Sequence, residues 1–166
     1  GKVFTDFSNN KFEKFKEKIK DVEDDQNNEL LGIKKEDFLK GANVAYESII
    51  TSFANGDRNK LKDLLSKEMS ANFVQAIDQR NKVNIKSELT FIGIKESKIE
   101  KYEKIKNEIF ASVKFVSEII SVKKDKDDKI IEGNPDKIKT VTDYWKFSRN
   151  ALSKSPNWYL SEILSK

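Results

Sequence analysis

The apolar residues of this chain repeat every three to four positions before Lys86 and every second position after it. The first spacing buries one stripe of a helix and the second buries one face of a strand, and neither pattern can serve as the other. The chain is therefore constrained to helices first and strands afterwards. Phe12, Phe15, Ile19 and Val22 form the first stripe, with Asn10 and Glu13 spaced as a capping box. The stripe ends in the polar run Asp24-Asp25-Gln26-Asn27-Asn28. Phe38, Leu39, Ala42, Ala45, Tyr46, Ile49, Ile50 and Phe53 make a broader stripe, stopped at Asn55-Gly56 by an expected left-handed C-cap. Leu61, Leu64 and Leu65 predict a short helix; Met69, Phe73, Ala76 and Ile77 predict a further full one ending near Arg80.

Beyond Lys86 four strands are predicted. Residues 88–96 form one, with Gly93 as a bulge or bend. Residues 107–122 alternate cleanly, with Ile109, Ala111, Val113, Phe115 and Ile119 on one face. Lys123–Lys129 reads as a solvated hairpin tip and Gly133-Asn134-Pro135-Asp136 as a turn. Residues 137–149 put Val141, Asp143, Trp145, Phe147 and Arg149 on one side, and Ser155-Pro156-Asn157 leads into a last strand, Trp158 to Leu164. The expected fold is α+β, with three to four helices packed on a curved four-stranded antiparallel sheet. A bent, helix-lined sheet makes a cone. Val113, Phe115, Trp145, Phe147 and Trp158 would be core, or would line an apolar pocket under the long helix. Gly41 lies mid-helix, where Gly costs about 1 kcal/mol relative to Ala, so a close approach of helix to helix or sheet is expected there.

Composition narrows the chemistry. With no His and no Cys there is no Ser-His-Asp triad, thiolate nucleophile, or ordinary zinc or haem site, which favours binding over catalysis. Asp125, Asp127 and Asp128 lack the glycine and terminal Glu of a calcium loop, and no glycine-rich phosphate loop exists. No metal, cofactor or catalytic residue is assigned. The net charge of +4 is too small, and too free of Arg runs, to mark a nucleic-acid binder. No apolar run approaches the about 20 residues that span a bilayer. The start at Gly1 rather than Met suggests a fragment, with an anchor or linker upstream.

Of 32 basic residues, 29 are Lys and 3 are Arg: Arg58, Arg80 and Arg149. An Arg kept in such a background is expected to serve through its planar donor fork. Asp143 falls in the inward phase of its strand and needs a partner. Arg80 or Arg149 is expected to pair with Asp143 or with Glu118. The catalytic alternative makes Asp143 the general base of an isomerase or dehydratase, with Tyr46 or Tyr144 as hydrogen-bond donor. An Arg beside Asp143 would remove it.

The front of the chain concentrates aromatics and lysines. Phe4, Phe7, Phe12 and Phe15, with Ile19, interleave with Lys11, Lys14, Lys16, Lys18 and Lys20; residues 11–20 set five Lys against Glu13 and Glu17, whereas residues 21–25 hold four acids and no base. That order opposes the helix macrodipole, so the segment is not optimised as a free helix. A basic aromatic helix of this kind suits docking on anionic lipid or on a partner, with Phe4, Phe7, Lys11, Phe12, Lys14, Phe15, Lys18 and Ile19 as the contact set. It could equally pack on its own sheet, or act as a dimer arm over residues 1–25. Residues 1–33 are taken as an amphipathic arm and 34–166 as the domain proper.

An ordered set of residues carries a family resemblance. It runs through Phe38, Gly41-Ala42, Ala45-Tyr46, Phe53, Gly56-Asp57, Leu61, Leu64-Leu65, Phe73, Ile77 and Arg80. It resumes at Val113-Lys114-Phe115-Val116-Ser117-Glu118 and Glu132-Gly133-Asn134-Pro135-Asp136, and closes with Thr142–Arg149 and Pro156–Leu160. Over roughly residues 34–164 the chain resembles the C-terminal domain of Tim44 and its bacterial relatives, within the NTF2-like superfamily. The resemblance implies a non-enzymatic, membrane-associated adaptor. Such a domain binds anionic lipid and a translocon, chaperone or ribosomal partner, in protein translocation among other roles. It also implies an inner-membrane location, peripheral or anchored by an upstream segment, with the cytoplasmic face favoured for a bacterial member. The alternative within the superfamily is a small apolar ligand-binding protein or a cryptic enzyme using the conical pocket.

Overall fold

The computed structural model describes residues 29–30 and 33–166. Two short strands, β1 (Glu29–Leu30) and β2 (Ile33–Lys34), pair antiparallel and lead straight into helix α1 (Lys35–Asn55). Glu36 and Asp37 occupy its first turn, where acids suit the dipole. Gly56 closes it in the left-handed conformation, φ +68°, with its N–H on the Phe53 carbonyl. Helix α2 (Arg58–Lys62) follows at once, capped by Asp57 through Lys60 N at 3.1 Å. Helix α3 (Lys67–Lys82) is capped by Ser66 Oγ through Met69 N at 3.2 Å.

The chain then forms an open antiparallel sheet of five strands: β3 (Lys86–Ile105), β4 (Glu108–Lys124), β5 (Ile130–Gly133), β6 (Lys139–Asn150) and β7 (Tyr159–Leu164). The order is β3-β4-β6-β7, with β5 beside the far end of β4. Two points differ from the expectation. The first strand continues past residue 96 to Ile105, because three register shifts let it curve while staying paired with β4. One of them falls between Phe91 and Gly93. The stretch after the charged tip is a fifth strand, since Ile130–Gly133 pairs with Val122–Lys124 before the Asn134 turn.

The three helices pack on one face of this sheet. Phe38, Ala42, Tyr46 and Ile49 of α1 are buried against Val113, Phe115, Trp145 and Phe147. Leu61, Met69 and Ile77 bring α2 and α3 onto the same core. The link between those helices is stitched to the last strand: Leu160 N donates to Leu64 O, and Ser66 N donates to Leu160 O, both at 2.9 Å. Arg80 ties the end of α3 to the end of α1, its Nη2 donating to Phe53 O at 2.9 Å with the guanidinium 5.2 Å from the Phe53 ring centre.

Candidate functional site

The concave face under α1 is filled rather than hollow. Tyr46 stacks on Phe115 at 4.3 Å between ring centres and lies 4.6 Å from Trp145. Its ring closes the space that the alternation of β4 and β6 would otherwise leave open. Val113, Phe115 and Trp145 are packed here as core. Phe147 and Trp158 do reach a cavity, but on the flank of the cone.

That cavity is a groove of about 650 Å³ between α1, the α2–α3 link and the β6–β7 connection. Phe38, Ala45, Leu64, Phe147 and Trp158 supply apolar wall, and Asp37, Asp63 and Arg149 supply charge. Phe38 meets Trp158 edge to face at 4.9 Å, which sets the floor. Val44, 71 % exposed, stands at the margin. Gly41 also lines it, and a Cβ there would meet nothing within 4 Å. The close approach expected at this glycine is therefore absent: α1 turns that position to the groove and not to the sheet. A shallower depression of about 500 Å³ on α3 is walled by that helix alone.

Beside the stacked rings sits a polar cluster. Tyr46 Oη donates to Asp143 Oδ2 at 2.6 Å and shares a hydrogen bond with Ser117 Oγ at 2.9 Å. Burial, and then the bond to the Asp143 carboxylate, pushes the Tyr46 hydroxyl well above its ordinary range, so it stays protonated as the donor. Ser117 is wholly buried. It interrupts the apolar phase Val113, Phe115, Ile119 of β4, and that break in the alternation was the available sign of a buried polar site.

The expected Arg–carboxylate pair does not form. Asp143 takes the Tyr46 hydroxyl, while Arg149 Nε donates to Ser155 O at 3.2 Å and Arg80 caps α1. Arg149 lies six residues from Asp143 on one strand, about 20 Å away at strand rise. Glu118 points to the opposite face from Ser117, and none of the salt bridges among the described residues includes Asp143, Glu118, Arg80 or Arg149. The Arg that does bridge is Arg58, to Asp78 across α2 and α3. Of the two tyrosines weighed against Asp143, Tyr46 makes the bond. Tyr144, one residue along β6, faces the other side, under Lys166 Nζ at 4.5 Å. The groove lining does not include Asp143. Phe4, Phe7, Lys11, Phe12, Lys14, Phe15, Lys18 and Ile19 lie outside the described residues.

Among the described residues no helix is long and apolar enough to cross a membrane, and no group of three acidic side chains is placed to hold a metal. Among curated proteins none matches the sequence. Among solved structures, the chain is similar to the intermembrane space region of the chloroplast protein ARC6, with TM-score 0.50 and 13% identity, over 76% of this chain and 96% of that one. A conserved protein from Planctomyces limnophilus gives TM-score 0.38 and 13% identity over 78% of this chain and 98% of its own. The likeness to ARC6 is one of fold. The family model of the Tim44-like domain matches residues 27–165, nearly the whole chain, and the protein belongs to the Tim44-like domain family.

Proposed function

We propose that this domain is a membrane-associated adaptor that performs no reaction of its own. In this reading residues 1–25 bind anionic lipid, and the flank groove receives a protein partner of the translocation, chaperone or ribosomal kind. The observation that carries it is the match of residues 27–165 to the Tim44-like domain. Two features support it. The groove offers an apolar floor rimmed by Asp37, Asp63 and Arg149, a composition suited to an amphipathic partner segment. The N-terminal segment carries five Lys among residues 11–20, interleaved with Phe12 and Phe15, and each Lys near an anionic surface is worth about 1 kcal/mol.

Co-sedimentation with vesicles, with and without cardiolipin, tests the lipid part. Binding is expected only with the anionic lipid, weakening as salt rises and lost on deletion of residues 1–25. Undiminished binding by the truncated protein would sink it.

The second reading, a small apolar ligand in the groove, rests on the same floor of Phe38, Phe147 and Trp158. It is favoured if the purified protein retains an apolar molecule and Gly41→Leu expels it. A catalytic version of this reading would need Asp143, which Tyr46 holds and which does not line the groove.

A further inference from the structure

The flank groove sets uncommitted charges of both signs around its apolar floor. Arg149 donates from Nε to Ser155 O, and among the described residues that is its one hydrogen bond, so both Nη groups keep their donors. Among the same residues neither Arg149 nor Asp37 nor Asp63 enters a salt bridge. The two acids are exposed, whereas Arg149 is half-buried and close enough to Tyr102 to oppose the rise of that hydroxyl. A planar donor fork, half-buried in a lining shared with Phe147 and Trp158 and short of acceptors, is matched by a carboxylate. Two acids to one Arg leave the lining net negative, so a complementary occupant carries more basic groups than acidic ones.

One wall of the groove is α1, and that wall is stripped of side chains. Gly41, Ala45 and Ser48 follow at spacings of four and three, and so form one row along the groove. Glycine is the least favourable helix residue after proline, yet among the described residues a Cβ at Gly41 would meet nothing within 4 Å. The fold itself gains nothing from the missing side chain. A second helix does, because small residues let helix backbones approach closely.

We propose that the groove receives an amphipathic helical segment of a protein partner, packed along Gly41, Ala45 and Ser48, with an acidic side chain on Arg149 and basic side chains on Asp37 and Asp63. The inference rests on the adaptor reading and specifies its partner by chemistry. From Asp37 to Ser48, α1 runs about 17 Å, which a helix of about 12 residues matches. Apolar side chains at helical spacing on that segment meet Phe38, Phe147 and Trp158. A lone carboxylate on an apolar chain would answer Arg149 and leave both acids without a counter-charge.

The probe is a displayed library of random peptides of about 12 residues, selected on the parent protein. Retained sequences are expected to combine an apolar helical stripe with both acidic and basic residues, the basic in excess. With a synthetic peptide of the leading sequence, Arg149→Gln is expected to weaken binding about tenfold or more. Replacing the peptide's acid by its amide should then cost nothing further in that variant. Gly41→Ala is expected to weaken binding about five- to tenfold while raising Tm, a combination that damage to the fold cannot produce. Arg58→Gln, which removes the Arg bridged to Asp78 outside the groove lining, should leave binding unchanged. Peptides retained without an acidic residue, or binding indifferent to Arg149→Gln or to Gly41→Ala, overturn the inference and leave the adaptor reading standing. Retention of no peptide overturns the inference and, with it, the groove's part in the adaptor reading.

Discussion

Tyr46 of α1 donates a 2.6 Å hydrogen bond to Asp143 of β6, 97 residues away, and so joins the longest described helix to the middle of the sheet. The same hydroxyl meets Ser117 of β4, so one buried oxygen bridges three elements. The half-buried Asp143 carboxylate is satisfied by a phenol held in place by its aromatic neighbours.

Tyr46→Phe keeps the stacking with Phe115 and removes both bonds, leaving Asp143 and the buried Ser117 short of a partner. A loss of about 1–3 kcal/mol is expected. Urea denaturation should show a lower midpoint at unchanged slope. Asp143→Asn retains an acceptor oxygen and is expected to cost less. A cost as large as that of Tyr46→Phe would mean that the carboxylate's charge, and not the bond, matters.

Tyr102 gives the fold an alkaline limit. Burial pushes its hydroxyl up to about 12, against the opposing influence of Arg149. The native state keeps this proton while the unfolded chain, titrating near 10, loses it. This contribution is thus complete below about pH 10 and falls as pH rises toward 12, by at most about 1.4 kcal/mol per pH unit. Urea midpoints measured from pH 9 to 12 should decline less steeply in Tyr102→Phe than in the parent.

Three glycines should respond differently to alanine. Gly41→Ala adds a methyl group into open space on a helix and is expected to stabilise by about 1 kcal/mol, raising Tm by about 2–4 °C. Gly56→Ala places a side chain at φ +68° and should cost about 1 kcal/mol. Gly133→Ala is expected to be the worst, because the backbone is at φ +89° and the new Cβ would collide with the Ser121 carbonyl oxygen. Thermal melts of the three variants rank them.

Arg80 combines a hydrogen bond to Phe53 O with a guanidinium lying over the Phe53 ring. Arg80→Ala is expected to lose about 1–2 kcal/mol, with faster hydrogen exchange in the last turn of α1. Arg80→Lys should recover little of it, since an ammonium lacks the planar fork that meets carbonyl and ring together.

Much of this architecture was legible because its causes are local. The stripe Phe38 to Phe53 and the αL position at Gly56 follow from neighbours within one or two turns, and α1 ends where the glycine allows. The alternation of residues 107–122 likewise identified the core face of β4. Strand β5 was hidden because Ile130–Gly133 is exposed throughout and carries no alternation; its pairing with β4 alone makes it a strand. The extension of β3 to Ile105 was hidden by its bulges, each of which breaks the period of two. Phe147 and Trp158 were legible as apolar residues, but not as the floor of a flank groove.

The sequence by itself determined the order of helices and strands and which side of each strand is apolar, since hydrophobic period is a property of consecutive residues. It also determined family membership, through residues 27–165. Only the tertiary structure decided that Asp143 pairs with Tyr46 and not with an Arg, that the cone is filled by that same ring, and that Gly41 faces a groove. These depend on how α1 crosses the curved sheet, and that crossing is set by packing between residues far apart in the chain, which no local pattern records.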